Sequence, residues 1–170
     1  MVVVQKKLLT EQALYYGDVS MPKGFEIDHN KLSDDIIKSI LKKSKIPYLK
    51  NLNMLNDYIR EHIKSEHKIS LITKNYWGNI YKPNQISEPL LNVDQTDLRN
   101  SPDFTLLYGV KTKECSVKFY YDNNRIKGCD WTISLDEGEF IMFPSINRYI
   151  IKNDQKESLN SILTITYELK

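Results

Sequence analysis

Ser161-Ile162-Leu163-Thr164-Ile165-Thr166-Tyr167-Glu168 alternates large apolar side chains with threonine. A period of two is the mark of a β-strand, whose successive side chains point to opposite faces. On this pattern Leu163, Ile165 and Tyr167 face a core while Thr164 and Thr166 face water. Working back from this run, the same period recurs in short segments rich in β-branched and aromatic residues: Ile69–Thr73, Tyr76–Tyr81, Phe104–Val110, Val117–Tyr121, Trp131–Leu135, Glu139–Phe143 and Ile150–Lys152. Turn-forming stretches separate them: Lys82-Pro83-Asn84, Ser101-Pro102-Asp103, Asp122-Asn123-Asn124, Asp136-Glu137-Gly138 and Asn153-Asp154. Eight short strands in succession predict a sandwich or barrel rather than an alternating α/β sheet.

Ahead of Ile69 the period changes to that of helices. Ser33 is expected to cap a helix whose Asp34 and Asp35 suit its positive end and whose Lys42, Lys43 and Lys45 suit its negative end. Ile36, Ile37, Ile40 and Leu41 form its apolar stripe, and Pro47 stops it. A second helix is expected from about Leu52 to Lys64, with Leu52, Leu55, Ile59 and Ile63 on one face. Both stripes need a partner, and one sheet of the sandwich supplies it. The expected organisation is a single domain over 1–170: a helical N-terminal part, 1–68, packed on a jelly-roll core, 69–170. No repeat, low-complexity tract or linker divides it.

The chain has 170 residues, enough to hide roughly 70% of its unfolded surface without a disulfide or metal staple. Its 24 basic and 22 acidic side chains leave a formal charge of +2, which speaks against nucleic-acid binding by phosphate neutralisation. The arginines are only Arg60, Arg99, Arg125 and Arg148, so few side chains suit bidentate anion capture; Arg125 and Arg148 are the candidates for it. Cys115 and Cys129 read as reduced thiols of a cytoplasmic protein. Val2, Val3 and Val4 precede Lys6 and Lys7, the reverse of a secretory signal. No apolar run approaches the roughly 20 residues that span a bilayer.

Several chemistries lack their residues. His62 and His67 are five apart, which places them on different faces of a helix, and His29 follows Asp28 ahead of a helix, a capping or solvated position. The six glycines form no phosphate loop, and no Gly-x-Ser-x-Gly elbow carries a serine nucleophile. The acidic residues fall mainly in turns and helix starts.

The strand half also carries an ordered set of signatures: Trp77-Gly78-Asn79-Ile80-Tyr81-Lys82-Pro83, then Leu91-Asn92-Val93-Asp94, Ser101-Pro102-Asp103-Phe104-Thr105-Leu106-Leu107-Tyr108, Phe143-Pro144-Ser145 and Ile162–Tyr167. This order resembles the iron(II)/2-oxoglutarate oxygenase superfamily, in its prolyl-hydroxylase-like branch and in particular the small oxygenase-like proteins of marine tailed phages. The resemblance covers about residues 76–168. It implies a double-stranded β-helix, a cupin-like jelly roll that holds iron between its sheets on a His-x-Asp pair and a distal histidine, with a basic residue clamping 2-oxoglutarate. Carried over, the pair falls on Asn92 and Asp94, the distal histidine nearest Tyr149, and the clamp near Asn160 to Ile162, where no basic residue stands. Only Asp94 keeps the required type, and no histidine exists after His67. Asparagine is a weak neutral ligand, and a phenol with a free pKa of about 10 would first have to lose its proton.

Eleven tyrosines against five phenylalanines add polar aromatic tips. Tyr108 and Tyr149 are candidates to line a cavity, whereas Tyr120 and Tyr121 suit sheet edges or an oligomer interface. The ligand-binding candidates are thus Asn92, Asp94, Tyr108, Tyr149 and Asn160, with no catalytic residue and no metal ligand. The leading expectation is a metal-free, oxygenase-like binding or structural module without cofactor, in a host cytoplasm or virion if phage-encoded. Its partner is an unidentified ligand or protein, and self-association is compatible with it. Two alternatives stand beside it: an iron(II)/2-oxoglutarate hydroxylase with atypical ligands, and a cupin-like protein that binds sugar or another small molecule.

Overall fold

The computed structural model describes residues 12–44, 46, 50–122 and 128–170. Two antiparallel sheets face each other. The larger contains β1 (Tyr15–Asp18), β2 (Leu71–Tyr81), β3 (Phe104–Lys111), β6 (Glu139–Pro144) and β8 (Asn160–Leu169), in the spatial order β1-β6-β3-β8-β2. The smaller contains β4 (Cys115–Asp122), β5 (Gly128–Ser134) and β7 (Arg148–Asn153), in the order β5-β4-β7. Helices α1 (His29–Lys42) and α2 (Lys50–His67) lie over the outer face of the larger sheet. The jelly roll with helices in front is the architecture anticipated from the strand pattern.

Alternation on the central strands builds two separate cores. Leu106, Tyr108 and Val110 of β3 and Leu163, Ile165 and Tyr167 of β8 point outward, where they bury Leu32 and Ile36 of α1 and Leu52, Leu55, Ile59 and Ile63 of α2. Burying a side chain of this size is worth about 1.5–3 kcal/mol. Leu107 and Ile162 point inward and meet Val117, Phe119, Phe143, Tyr149 and Ile151 between the sheets. β8 has helices on one side and the small sheet's layer on the other, so it has no wet face. The expectation for Thr164 and Thr166 is corrected accordingly: both are buried, Thr164 accepting a hydrogen bond from Asn79 Nδ2 at 3.0 Å.

Local chemistry explains the other departures. Asp28, not Ser33, caps α1, its carboxylate accepting from the Lys31 amide at 3.0 Å. The helix thus starts earlier, and Ser33 lies inside it, bonded to Ser161 Oγ at 2.7 Å. The stripe shifts with it. Leu32, Ser33, Ile36 and Ser39 are buried, whereas Ile40 and Leu41 are exposed. Ile69–Thr73 and Tyr76–Tyr81 belong to one strand, β2, whose register shifts between Thr73 and Asn75. β1 had no signal in the sequence pattern because it is only four residues long. Pro47, Arg125 and the Asp122-Asn123-Asn124 turn involve residues outside those described.

Two glycines are required by geometry. A Cβ on Gly78 would lie 2.4 Å from Ile36 Cγ2, so α1 seats directly on the β2 backbone. Gly138 closes the Asp136-Glu137-Gly138 turn at φ +86°, where other residues are strained. The register sets Cys115 opposite Asn153 and Cys129 opposite Tyr121, at opposite ends of β4. The thiols are about 20 Å apart by strand rise, too far for a disulfide.

Candidate functional site between the sheets

After β2 the chain turns at Lys82-Pro83-Asn84 and runs alongside β7. Ile86 and Leu90 bridge Lys152 and Tyr149, and Leu90 exchanges backbone hydrogen bonds with Tyr149 at 2.8 and 3.1 Å. This anchoring delivers Asn92 to the end of β7. Its Nδ2 donates to Tyr149 Oη at 3.0 Å and to Thr105 Oγ1 at 3.2 Å, and Thr105 in turn shares a proton with Ser145 Oγ at 2.8 Å. Thr105 and Ser145 are fully buried. They went unnoticed in the sequence because a threonine in a strand and a serine after Phe143-Pro144 look like ordinary surface and turn residues.

Aromatic rings fill the space beneath this network. Phe119 and Phe143 pack edge to face at 4.7 Å between centroids, and Phe143 and Tyr149 at 5.0 Å. Burial pushes the Tyr149 phenol up to about 12, and the hydrogen bond from Asn92 only partly opposes it. Tyr81, in the same core, is also pushed up by burial. These phenols are neutral at physiological pH.

The other sequence candidates lie elsewhere. Asp94 is exposed, and its Oδ1 accepts from the Thr96 amide at 2.8 Å and the Thr96 hydroxyl at 2.6 Å, which holds the carboxyl below its ordinary range. Tyr108 belongs to the helix-side core, not to the space between the sheets, because β3 alternation turns it outward. There its hydroxyl meets His29 Nε2 at 2.7 Å, while His29 Nδ1 meets Glu137 Oε1 at 3.1 Å. His29 therefore neither caps α1 nor stands free in solvent. Asn160 is buried and clasps the turn before β4, exchanging hydrogen bonds with the Lys113 backbone at 3.2 Å in both directions. Of the five candidates the fold brings together Asn92 and Tyr149.

Outside this core, Pro89 and Arg148 stand between two adjoining surface clefts of about 680 and 590 Å³. Tyr120, Tyr121 and Ile146 line the first, and Asp94 the second. Among the described residues no helix is long and apolar enough to cross a membrane.

This two-sheet arrangement, with the 85–90 segment completing the small sheet, is a double-stranded β-helix. No family model matches the chain, and no curated protein matches it in sequence. Solved structures match it in shape. A Pseudomonas putida prolyl-4-hydroxylase superposes with a TM-score of 0.61 at 8% identity, covering 94% of this chain and 89% of that one. A viral collagen prolyl hydroxylase from Paramecium Bursaria Chlorella virus-1, solved with 2OG, gives 0.55 at 16% identity over 90% of this chain and 95% of that one. A prolyl hydroxylase of Trichoplax adhaerens, bound to a hypoxia inducible factor peptide fragment, gives 0.56 at 9% identity over 91% and 83%. The chain resembles the iron(II)/2-oxoglutarate oxygenases in fold, as the order of its signatures implied.

The residues present do not suit the iron that this fold family implies. Iron(II) in such sites takes imidazole nitrogens and a carboxylate. Asn92 instead presents its amide N–H₂ to Tyr149 and Thr105, the Tyr149 phenol is protonated and buried, and the Asp94 carboxylate is occupied by Thr96. Among the described residues no group of three or more His, Cys, Asp or Glu is placed to hold a metal ion.

Proposed function

We propose that this chain uses the oxygenase jelly roll as a binding or structural module and does not catalyse iron-dependent hydroxylation. One observation carries this reading: Asn92 and Tyr149, which stand where the resemblance puts two of the metal ligands, bond to each other at 3.0 Å. Asn92 Nδ2 and the Tyr149 hydroxyl are thus engaged within the protein, and the aromatic packing of Phe119, Phe143 and Tyr149 occupies the space between the sheets. A buried polar cluster that satisfies itself stabilises and specifies a core without a ligand. No basic residue occupies positions 160–162, where the resemblance puts the clamp on 2-oxoglutarate; the charge-assisted contact such a clamp makes is worth about 1.5–3 kcal/mol, or roughly tenfold to a hundredfold in affinity.

The test is anaerobic titration with iron(II) and with manganese(II), followed by calorimetry and electron paramagnetic resonance, together with an assay for succinate formed from 2-oxoglutarate. Neither stoichiometric metal uptake nor succinate is expected. Manganese bound one-to-one, and released by Asp94→Ala, overturns the reading.

A further inference from the structure

Two contacts fix the second half of α2 beside β1 and the residues that follow it. At one end the Tyr58 hydroxyl donates to the Ser20 carbonyl at 3.0 Å. At the other the rings of Tyr15 and His67 pack with centroids 4.8 Å apart. Helix and strand therefore run in opposite directions, and the stretch from Tyr58 to His67 spans roughly 13 Å at the ordinary helical rise. Between them lies a cleft of about 410 Å³, a volume that suits a small molecule. It lies on the helix side of the larger sheet, where Tyr15, Val19 and Phe140 pack on the core, whereas Tyr149 belongs to the core between the sheets.

The walls of this cleft divide by chemistry. Ile59 and Ile63, both buried, and the partly buried Phe140 form an apolar floor with no hydrogen-bonding side chain. Aromatic rings stand around it: Tyr15 against His67, and Tyr58 against His62 with centroids 4.2 Å apart. The polar atoms beside these rings are engaged within the protein. The Ser20 carbonyl takes the Tyr58 hydroxyl, and the Tyr58 carbonyl takes the His62 Nδ1 proton at 3.0 Å. At the exposed rim are two carboxylates, Asp18 and Glu66, and among the described residues no lysine or arginine lines the cleft with them.

We infer that this cleft binds a quaternary ammonium group. The carboxylates at the rim select positive charge, and aromatic faces attract a cation through the negative side of the ring. The floor narrows the class further. A primary ammonium or a guanidinium leaving water needs partners for its N–H groups, and Ile59, Ile63 and Phe140 offer none. A quaternary ammonium has no N–H, and its methyl groups pack on just such a surface. Its charge then lies between the rings of Tyr15 and Tyr58 and the carboxylates of Asp18 and Glu66. The inference goes beyond the proposed function and is independent of the metal question: iron binding would overturn that proposal without touching this one.

Choline is the probe, and dimethylbutanol, the alcohol in which carbon replaces its nitrogen, is the neutral control of the same shape. The full chain, isotope-labelled, is titrated with choline to about 20 mM, enough to saturate a site of millimolar Kd, and its amide resonances are followed. Saturable shifts are expected in β1, at Ser20 and in the Tyr58–His67 half of α2. The alcohol should bind roughly tenfold more weakly. Tyr15→Leu, which removes a ring, should weaken choline about threefold, in keeping with a partly exposed cation–π contact, whereas Tyr15→Phe keeps the ring and the affinity. Asp18→Asn with Glu66→Gln should weaken choline severalfold at low salt and leave the alcohol unaffected. Both carboxylates are exposed, so this variant folds as the parent does. No shift with choline at that concentration, equal affinity for the alcohol, or choline binding undiminished in the double carboxylate variant overturns the inference.

Discussion

The side-chain amide of Asn92 donates a 3.0 Å hydrogen bond to the phenolic oxygen of Tyr149, joining residues 57 positions apart in the chain. The bond is part-buried and continues through Thr105 to Ser145. It ties the segment after β2 to β7 and to β3, so the two sheets are linked at this end by side chains as well as by apolar packing.

If the network holds the sheets together, its members should be energetically coupled. Tyr149→Phe and Asn92→Ala should each cost about 1 kcal/mol in urea unfolding, the usual net worth of an intramolecular hydrogen bond. The double variant should cost less than their sum, by about 0.5–1 kcal/mol. Strict additivity would mean that the bond contributes nothing.

Gly78→Ala should destabilise the protein through the seat of α1. The new Cβ would stand 2.4 Å from Ile36 Cγ2 and 2.9 Å from Ile36 Cβ, both part of a branched, fully buried side chain that cannot swing aside. Overpacking of this kind costs about 1–3 kcal/mol. A lower melting temperature is the expected result, and the drop caused by Gly78→Ala should be smaller in an Ile36→Ala background than in the parent chain.

Removing the phenol with Tyr108→Phe should loosen the start of α1. His29 Nε2 loses its 2.7 Å partner while its contact to Glu137 survives. The expected cost is about 1 kcal/mol. Faster amide hydrogen exchange over the first turns of α1, with α2 unaffected, would distinguish this from general destabilisation.

Stability should fall steeply in alkali. Burial raises the Tyr149 phenol from 10 to about 12 and the Cys115 thiol from 9 to about 12. The folded state therefore binds these protons more tightly than the unfolded chain does. The resulting stabilisation is complete below pH 9, the ordinary range of the thiol, and is lost as the pH rises through about 12. Tyr81, Tyr108 and Tyr167 are displaced in the same direction. Tyrosinate absorbance near 295 nm should show these phenols ionising together with unfolding; their free titration in the native protein at pH 10 would contradict the assignment.

Much of the architecture was legible because it depends on local alternation. The period of two located β3, β4, β6, β7 and β8 and one long β2 in two pieces, and the spacing of Leu52, Leu55, Ile59 and Ile63 marked α2. Alternation does not say what lies on the second face. Thr164 and Thr166 looked solvated because threonine is common on wet faces, but β8 is a central strand covered on both sides. Ser33 looked like a cap for the same kind of reason, since nothing local reveals that its hydroxyl meets Ser161 across 128 residues.

The sequence by itself determined that the strand half contains no imidazole, since composition and order need no coordinates: after His67 there is no histidine to offer. It also determined the strand order that produces a jelly roll. Only the tertiary structure decided that Asn92 reaches Tyr149, that Asp94 spends its carboxylate on Thr96, and that Tyr108 faces the helices with His29. Those meetings depend on register and on which side of a sheet each residue occupies. A shift of one position reverses every side chain in a strand, and what fixes the register is long-range pairing that no local pattern contains.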